Sequence, residues 1–144
     1  MAQVDFHTGL TDKLGYACRL VRKAWRAGHR VVVTGDATQL ARLDSLLWTF
    51  DVAEFLPHAR LRVGEQPPPR LARTPVWLAE QPADSGPCDV LVNLGPAGLA
   101  DMVLPARTVE LVDTSEADVA AGRQRWRAHI AAGHQPTNHP QAGG

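Results

Sequence analysis

Arg30-Val31-Val32-Val33-Thr34-Gly35-Asp36-Ala37-Thr38-Gln39-Leu40 is the stretch on which the fold turns. Three consecutive β-branched residues make the uninterrupted apolar run that a strand buried on both faces requires, as in a parallel sheet. Gly35 permits a tight turn, and Asp36 is placed to cap a helix whose Leu40, Leu43 and Leu47, continuing to Phe50, form one stripe. Working backwards, Thr11 can cap a helix to about residue 27, with Leu14, Cys18, Val21 and Trp25 at helical spacing and Gly28 as its stop. Before that helix, Val4-Asp5-Phe6-His7 alternates as a short strand.

Working forwards, residues 51–66 read as an irregular segment, and Pro67-Pro68-Pro69 cannot continue a helix or a central strand. Val76-Trp77-Leu78-Ala79 and Asp89-Val90-Leu91-Val92-Asn93-Leu94 read as strands, the second ended by Gly95-Pro96. Thr108-Val109-Glu110-Leu111-Val112-Asp113 alternates again, and Ser115 with Asp118 opens a final helix that runs to Ala132 and stops at Gly133. This succession predicts an α/β fold: a Rossmann-like three-layer α/β/α sandwich with a largely parallel sheet of about five strands. Residues 1–133 form the single domain, and the polar, Pro- and Gly-rich stretch 134–144 is expected to be a disordered tail.

The chain has 144 residues, 44% of them apolar, enough for one domain with its own core. Fifteen Lys and Arg balance fifteen Asp and Glu, which argues against a general nucleic-acid coat protein, since that needs a basic excess to displace counterions. The charge is nonetheless segregated. Residues 13–30 carry six bases and no acid, 31–121 carry six bases against thirteen acids, and 122–144 carry three bases. Cys18 and Cys88 lie in no C-x-x-C arrangement and read as two buried thiols. With no basic run leading into an apolar stretch at the N-terminus and no window of bilayer-spanning length, the expected location is the cytoplasm, with no membrane partner.

Catalytic and cofactor motifs do not assemble. Gly35 opens a strand-to-helix turn of the kind that holds a pyrophosphate, but residues 36–41 contain no further glycine and Asp36 would repel a phosphate. No Walker A and no G-x-S-x-G pattern occurs. His129, His134 and His139 recur every five residues, which spreads them around a helix, so they read as incidental rather than as metal ligands. Asp84, Asp89 and Asp101 lie near strand ends without forming a recognisable pair and read as solvated turn residues. No catalytic residue, metal or cofactor is therefore assigned. A Rossmann-like nucleotide-binding enzyme or module of unknown substrate stands as the alternative.

Three surfaces carry more information. On the last helix Arg123, Trp126, Arg127 and Ile130 share a flank, so two guanidinium groups bracket an aromatic and an aliphatic side chain. Such a set suits a short acidic peptide ending in a hydrophobic residue and a free carboxylate. The other reading is that Trp126 continues a Val119 and Ile130 stripe into the core while the arginines are solvated. Trp48 points away from the Leu40, Leu43 and Leu47 stripe, and Phe55-Leu56-Pro57 follows in an irregular segment; these aromatics either form an interface or fold back into the core. Arg19, Arg22, Lys23 and Arg26 make a basic stripe on the first helix, solvated or steering an acidic partner.

Taken together, Val4-Asp5-Phe6-His7, Ala17-Cys18-Arg19-Leu20, Leu43-Asp44-x-Leu46-Leu47-Trp48-Thr49-Phe50, Phe55-Leu56-Pro57-His58 and Arg123-x-Arg125-Trp126-Arg127 resemble the chi subunit of the bacterial DNA polymerase III holoenzyme along nearly the whole chain. The resemblance implies a noncatalytic accessory subunit with a Rossmann-like fold and no nucleotide site. It implies attachment to the clamp loader through the psi subunit, at positions corresponding to Trp48, Phe55, Leu56 and Pro57. It further implies capture of the acidic, Phe-terminated tail of single-stranded-DNA-binding protein at Arg123, Trp126 and Arg127, with nucleic acid contacted only indirectly or weakly. The segment between Asp113 and Arg123 is shorter than in some relatives, so the apolar wall of the tail pocket does not carry over.

Overall fold

The computed structural model describes residues 2–49, 55–99 and 102–141. Phe50, Asp101 and residues 51–54 of the segment read as irregular lie outside them. The elements run β1 (Gln3–Leu10), α1 (Lys13–Arg26), β2 (Val31–Thr34), α2 (Ala37–Thr49), β3 (His58–Leu61), β4 (Val76–Ala79), β5 (Val90–Asn93), β6 (Arg107–Asp113), α3 (Glu116–Ala131) and β7 (Thr137–Pro140). They form one seven-stranded sheet in the order β3-β4-β2-β5-β6-β1-β7. Every pairing is parallel.

Burial explains the pattern. In β2, β4 and β5 all four residues are buried, because both faces are covered and each backbone is paired on both sides. Val31 and Val33 turn to α1 and α2, packing with Cys18, Val21, Leu40, Leu43 and Leu47. Val32, Leu91 and Trp77 turn to the opposite face, where Leu71, Leu99 and Leu104 cover them. Val4, Phe6 and Val112 share that face with Val119 and Trp126 of α3. A register shift between His7 and Leu10 then turns Leu10 into the α1 side.

The three-layer reading holds, with two more strands than expected. β3 escapes periodicity because only Leu61 of His-Ala-Arg-Leu is buried, as befits an edge strand. Thr137–Pro140 falls in the stretch assigned to a disordered tail, yet it pairs with β1 from Asp5 to Thr8. Its side chains are all exposed, so its stability comes from the backbone ladder and short polar contacts, which leave no hydrophobic signature. Thr11 does not cap α1; Asp12 does, its carboxylate accepting from the Gly15 amide at 3.0 Å. Asp36 and Ser115 cap as read, accepting from the amides of Gln39 and Asp118. Gly28 and Gly133 sit at φ +87° and +92°, the left-handed conformation that ends a helix. Among the described residues no helix is long and apolar enough to cross a membrane.

Where α1 meets β1 and β7, polar groups interlock. His7 Nδ1 bonds the Tyr16 hydroxyl, the His7 and His139 rings lie 5.4 Å apart, and His139 Nε2 lies 3.0 Å from Asp5 Oδ1. Burial, then His139 and Arg107, push the His7 imidazole below its ordinary value, with Asp5 opposing. The folded chain thus takes up this proton less readily than the unfolded one. Stability is complete above the unfolded value of about 6.5 and is lost as pH falls through and below it. The thermal midpoint should therefore drop between about pH 7 and pH 5. His7→Asn should flatten that part of the profile, and an identical slope in both proteins would contradict the assignment.

Candidate functional site

Glu110 sits inside β6 with no exposure, flanked by apolar neighbours. Such a carboxylate needs full compensation. Arg125 Nε donates to its Oε1 at 2.9 Å, His129 Nε2 lies 2.7 Å from Oε2, and Arg125 Nη2 donates to the Leu111 carbonyl at 3.0 Å. Four residues apart on α3, Arg125 and His129 project together onto the sheet. Gly95, at φ +76°, leaves room: a Cβ there would lie 2.5 Å from Arg125 Nη1. Neither role follows from the sequence pattern alone. In the sequence Arg125 is one member of a motif and His129 recurs with His134 and His139 as incidental; the usable signal is one acid in an apolar strand facing a basic pair at helical spacing.

With 125 and 129 turned inward, the flank carrying 119, 122, 123 and 126 borders a cleft of about 580 Å³ between α3 and the β1–β7 end of the sheet. Phe6, Thr8 and Asn138 form its floor, and Val112, Val119 and Gly122 contribute its apolar side. Gly122 is required by close approach, since a Cβ there would meet Val112 Cγ2 at 2.8 Å. Trp126 does two things at once: half-buried, it packs edge-on against Phe6 with ring centroids 5.1 Å apart, and it lines the cleft. Ile130 is 52% exposed and continues no core stripe. Arg123 is exposed and lines the cleft, whereas Arg127 is exposed one turn on, outside that lining. Asp113, at the end of β6, borders it. Burial raises its carboxyl, but hydrogen bonds with Ser115 and the charge of Lys13 outweigh that and hold it below the usual carboxylate range.

The second surface is divided by the structure. Trp48 and Phe55 are 55% and 64% exposed and lie against each other with ring centroids 5.3 Å apart. His58 sits behind Trp48, rings 4.6 Å apart, its Nδ1 bonded to the Leu56 carbonyl and its Nε2 paired with Asp44 at 3.0 Å. Leu56, expected on this surface, is a correction: at 6% exposure it packs into the core beneath α2, and Pro57 is half-buried.

At the carboxyl ends of the strands, where doubly wound sheets bind nucleotides, the chain's own groups meet. Lys13 Nζ donates to the Leu94 carbonyl at 2.7 Å and pairs with Asp118 at 2.9 Å. Asp36 takes the amide at the start of α2, and Gly35 packs so closely that a Cβ would touch Leu94 at 3.0 Å. The glycine that resembled a cofactor turn is thus crowded by the Leu94 side chain just beyond β5. Burial raises both thiols, Cys18 and Cys88, to about 11, so neither is a reactive thiolate. Asp84 and Asp89 do more than a solvated turn residue would: they accept from the backbone amides of Gly64 and Arg30, each in a segment distant along the chain.

Over residues 1–137 the chain matches the family described as "DNA polymerase III chi subunit, HolC". It is 31% identical to DNA polymerase III subunit chi of Pseudomonas aeruginosa, with 96% of each chain covered. It is 28% identical to the corresponding subunit of Escherichia coli, covering 87% of this chain and 83% of that one. Among solved structures, the C-terminal domain of Dbp5 from S. cerevisiae superposes with a TM-score of 0.59 at 13% identity, over 96% of this chain and 90% of that chain, a likeness of fold alone.

Removal of the guanidinium beneath α3 tests how the helix is held. Arg125→Ala should cost about 3–5 kcal/mol in urea unfolding, because Glu110 keeps only His129 as a partner. A loss no larger than that of an exposed pair, about 1 kcal/mol or less, would show that α3 is held by apolar packing instead.

Proposed function

The chain belongs to the DNA polymerase III chi subunit family, and from that premise we propose a noncatalytic accessory subunit that bridges the clamp loader, through psi, to the acidic C-terminal tail of single-stranded-DNA-binding protein. The observation that carries the tail half of this reading is the cleft beside Arg123 and Trp126. Its apolar side, built by Val112, Val119, Gly122 and Trp126, suits a terminal phenyl ring, and Arg123 beside it suits a carboxylate. Arg127, outside the lining, contributes attraction rather than a direct seat. In this role the cleft selects a peptide by two features together: a buried ring and negative charge.

The psi half rests on Trp48 and Phe55, an exposed aromatic pair of the kind that anchors protein interfaces. Pro57 borders it, while Leu56 supports the segment from within the core. The Lys13–Asp118 pair at the carboxyl edge of the sheet stands where a nucleotide module would place a phosphate, which favours an adaptor over the enzyme alternative.

Calorimetric titration with an acidic peptide ending in Phe should give micromolar-class affinity, about −8 kcal/mol, weakened by salt. Deleting the terminal Phe or making Arg123→Ala should each lower affinity by roughly ten-fold or more, with a smaller loss for Arg127→Ala. Binding indifferent to both the Phe and Arg123 would overturn the site. Separately, Trp48→Ala with Phe55→Ala should abolish co-elution with psi while the peptide affinity stays at the wild-type value; retained co-elution would place psi elsewhere.

A further inference from the structure

The last strand adds something to the cleft that the flank of α3 does not supply. Asn138 pairs with Phe6 across the β1–β7 ladder, on the face that carries Phe6 and Thr8, and it lines the cleft. The Thr8 hydroxyl donates to Asn138 Oδ1 at 2.8 Å. That bond occupies the acceptor oxygen of the amide and leaves its two N–H groups as the donors. The cleft also extends along the strands. Asp113 pairs with Leu10 and Asn138 with Phe6, four residues apart on β1, which is roughly 13 Å at about 3.3 Å per residue.

We propose that β7 completes the peptide site and that the Asn138 amide is a specificity-determining donor to the terminal carboxylate of the bound peptide, acting beside Arg123. This inference rests on the tail-binding reading above. It assigns the orientation of the peptide: the terminal carboxylate lies at the Asn138 end, and the terminal ring lies against Trp126 and Phe6, away from Asp113. Thr8 is then a positioning residue, holding the amide with its donors available.

The test uses the full chain with two peptides of identical acidic, Phe-terminated sequence, one with a free carboxylate and one amidated at its C-terminus. Asn138→Ala should lower affinity for the free-carboxylate peptide by about ten-fold, as expected for losing a hydrogen bond to a charged group, and leave the amidated peptide unchanged. Asn138→Asp should lower it further by like-charge repulsion, and Thr8→Val should give part of the Asn138→Ala loss. Because every β7 side chain is exposed, unchanged thermal midpoints in these variants separate recognition from folding. If Arg123→Ala weakens binding but Asn138→Ala does not, the role of β7 is overturned and the tail reading stands. If the wild-type chain binds neither peptide, the tail reading falls and this inference falls with it.

Discussion

A carboxylate sealed inside a sheet must be neutralised by the chain itself, and much else in this fold follows from how Glu110 is served. Its two oxygens demand two donors, and Arg125 and His129, four apart on one face of the covering helix, supply them. That requirement sets the rotation of α3 about its own axis and its register along β6. Apolar packing alone would tolerate small rotations of such a helix; a pair of short charge-assisted bonds does not. With rotation set, the positions between Arg125 and His129 are carried sideways and outward, so Trp126 reaches Phe6 at the margin of the sheet. The surface groups are thus arranged by a contact that no partner touches.

The same economy governs the other end of the strands. Three helices begin at the carboxyl edge of a parallel sheet, each with unsatisfied amides that would attract an anion. Asp12, Asp36 and Ser115 satisfy them from within, and Lys13 adds an internal cation balanced by Asp118. A fold whose geometry favours nucleotide binding therefore has that capacity used by its own side chains. The unequal distribution of charge along the chain acquires two meanings: some of it closes this edge, and the Arg-rich end of α3 divides between an inward anchor and outward contacts.

Much of this was legible in the order of residues, for reasons that can be named. The run Val31-Val32-Val33 and its counterparts in β4 and β5 announce strands because burial on both faces leaves no polar alternation. Caps at Asp36 and Ser115 are local chemistry and legible as such, whereas Thr11 and Asp12 offer two capping groups side by side and only geometry chooses. β3 and β7 were illegible because edge strands need neither hydrophobic residues nor alternation. At the site, the flank of Arg123 and Trp126 followed from helical spacing alone. Its cleft did not, since Phe6, Val112 and Asn138 come from strands far apart in the chain. Helix α3 also defeats a simple amphipathic reading, because it turns an arginine and a histidine inward and an isoleucine outward.

The strand order sets a distance. Trp48 and Phe55 lie beside β3, the first strand of the sheet, and the cleft lies at β1 and β7, the last two. Six inter-strand spacings of about 4.8 Å separate the outermost strands by roughly 29 Å. Ligands gripped at those ends would engage opposite edges of one sheet and share no contact residue. The sheet then serves as a rigid spacer: whatever is gripped at one edge keeps whatever is gripped at the other at a nearly constant local concentration, a gain that comes from length and stiffness alone.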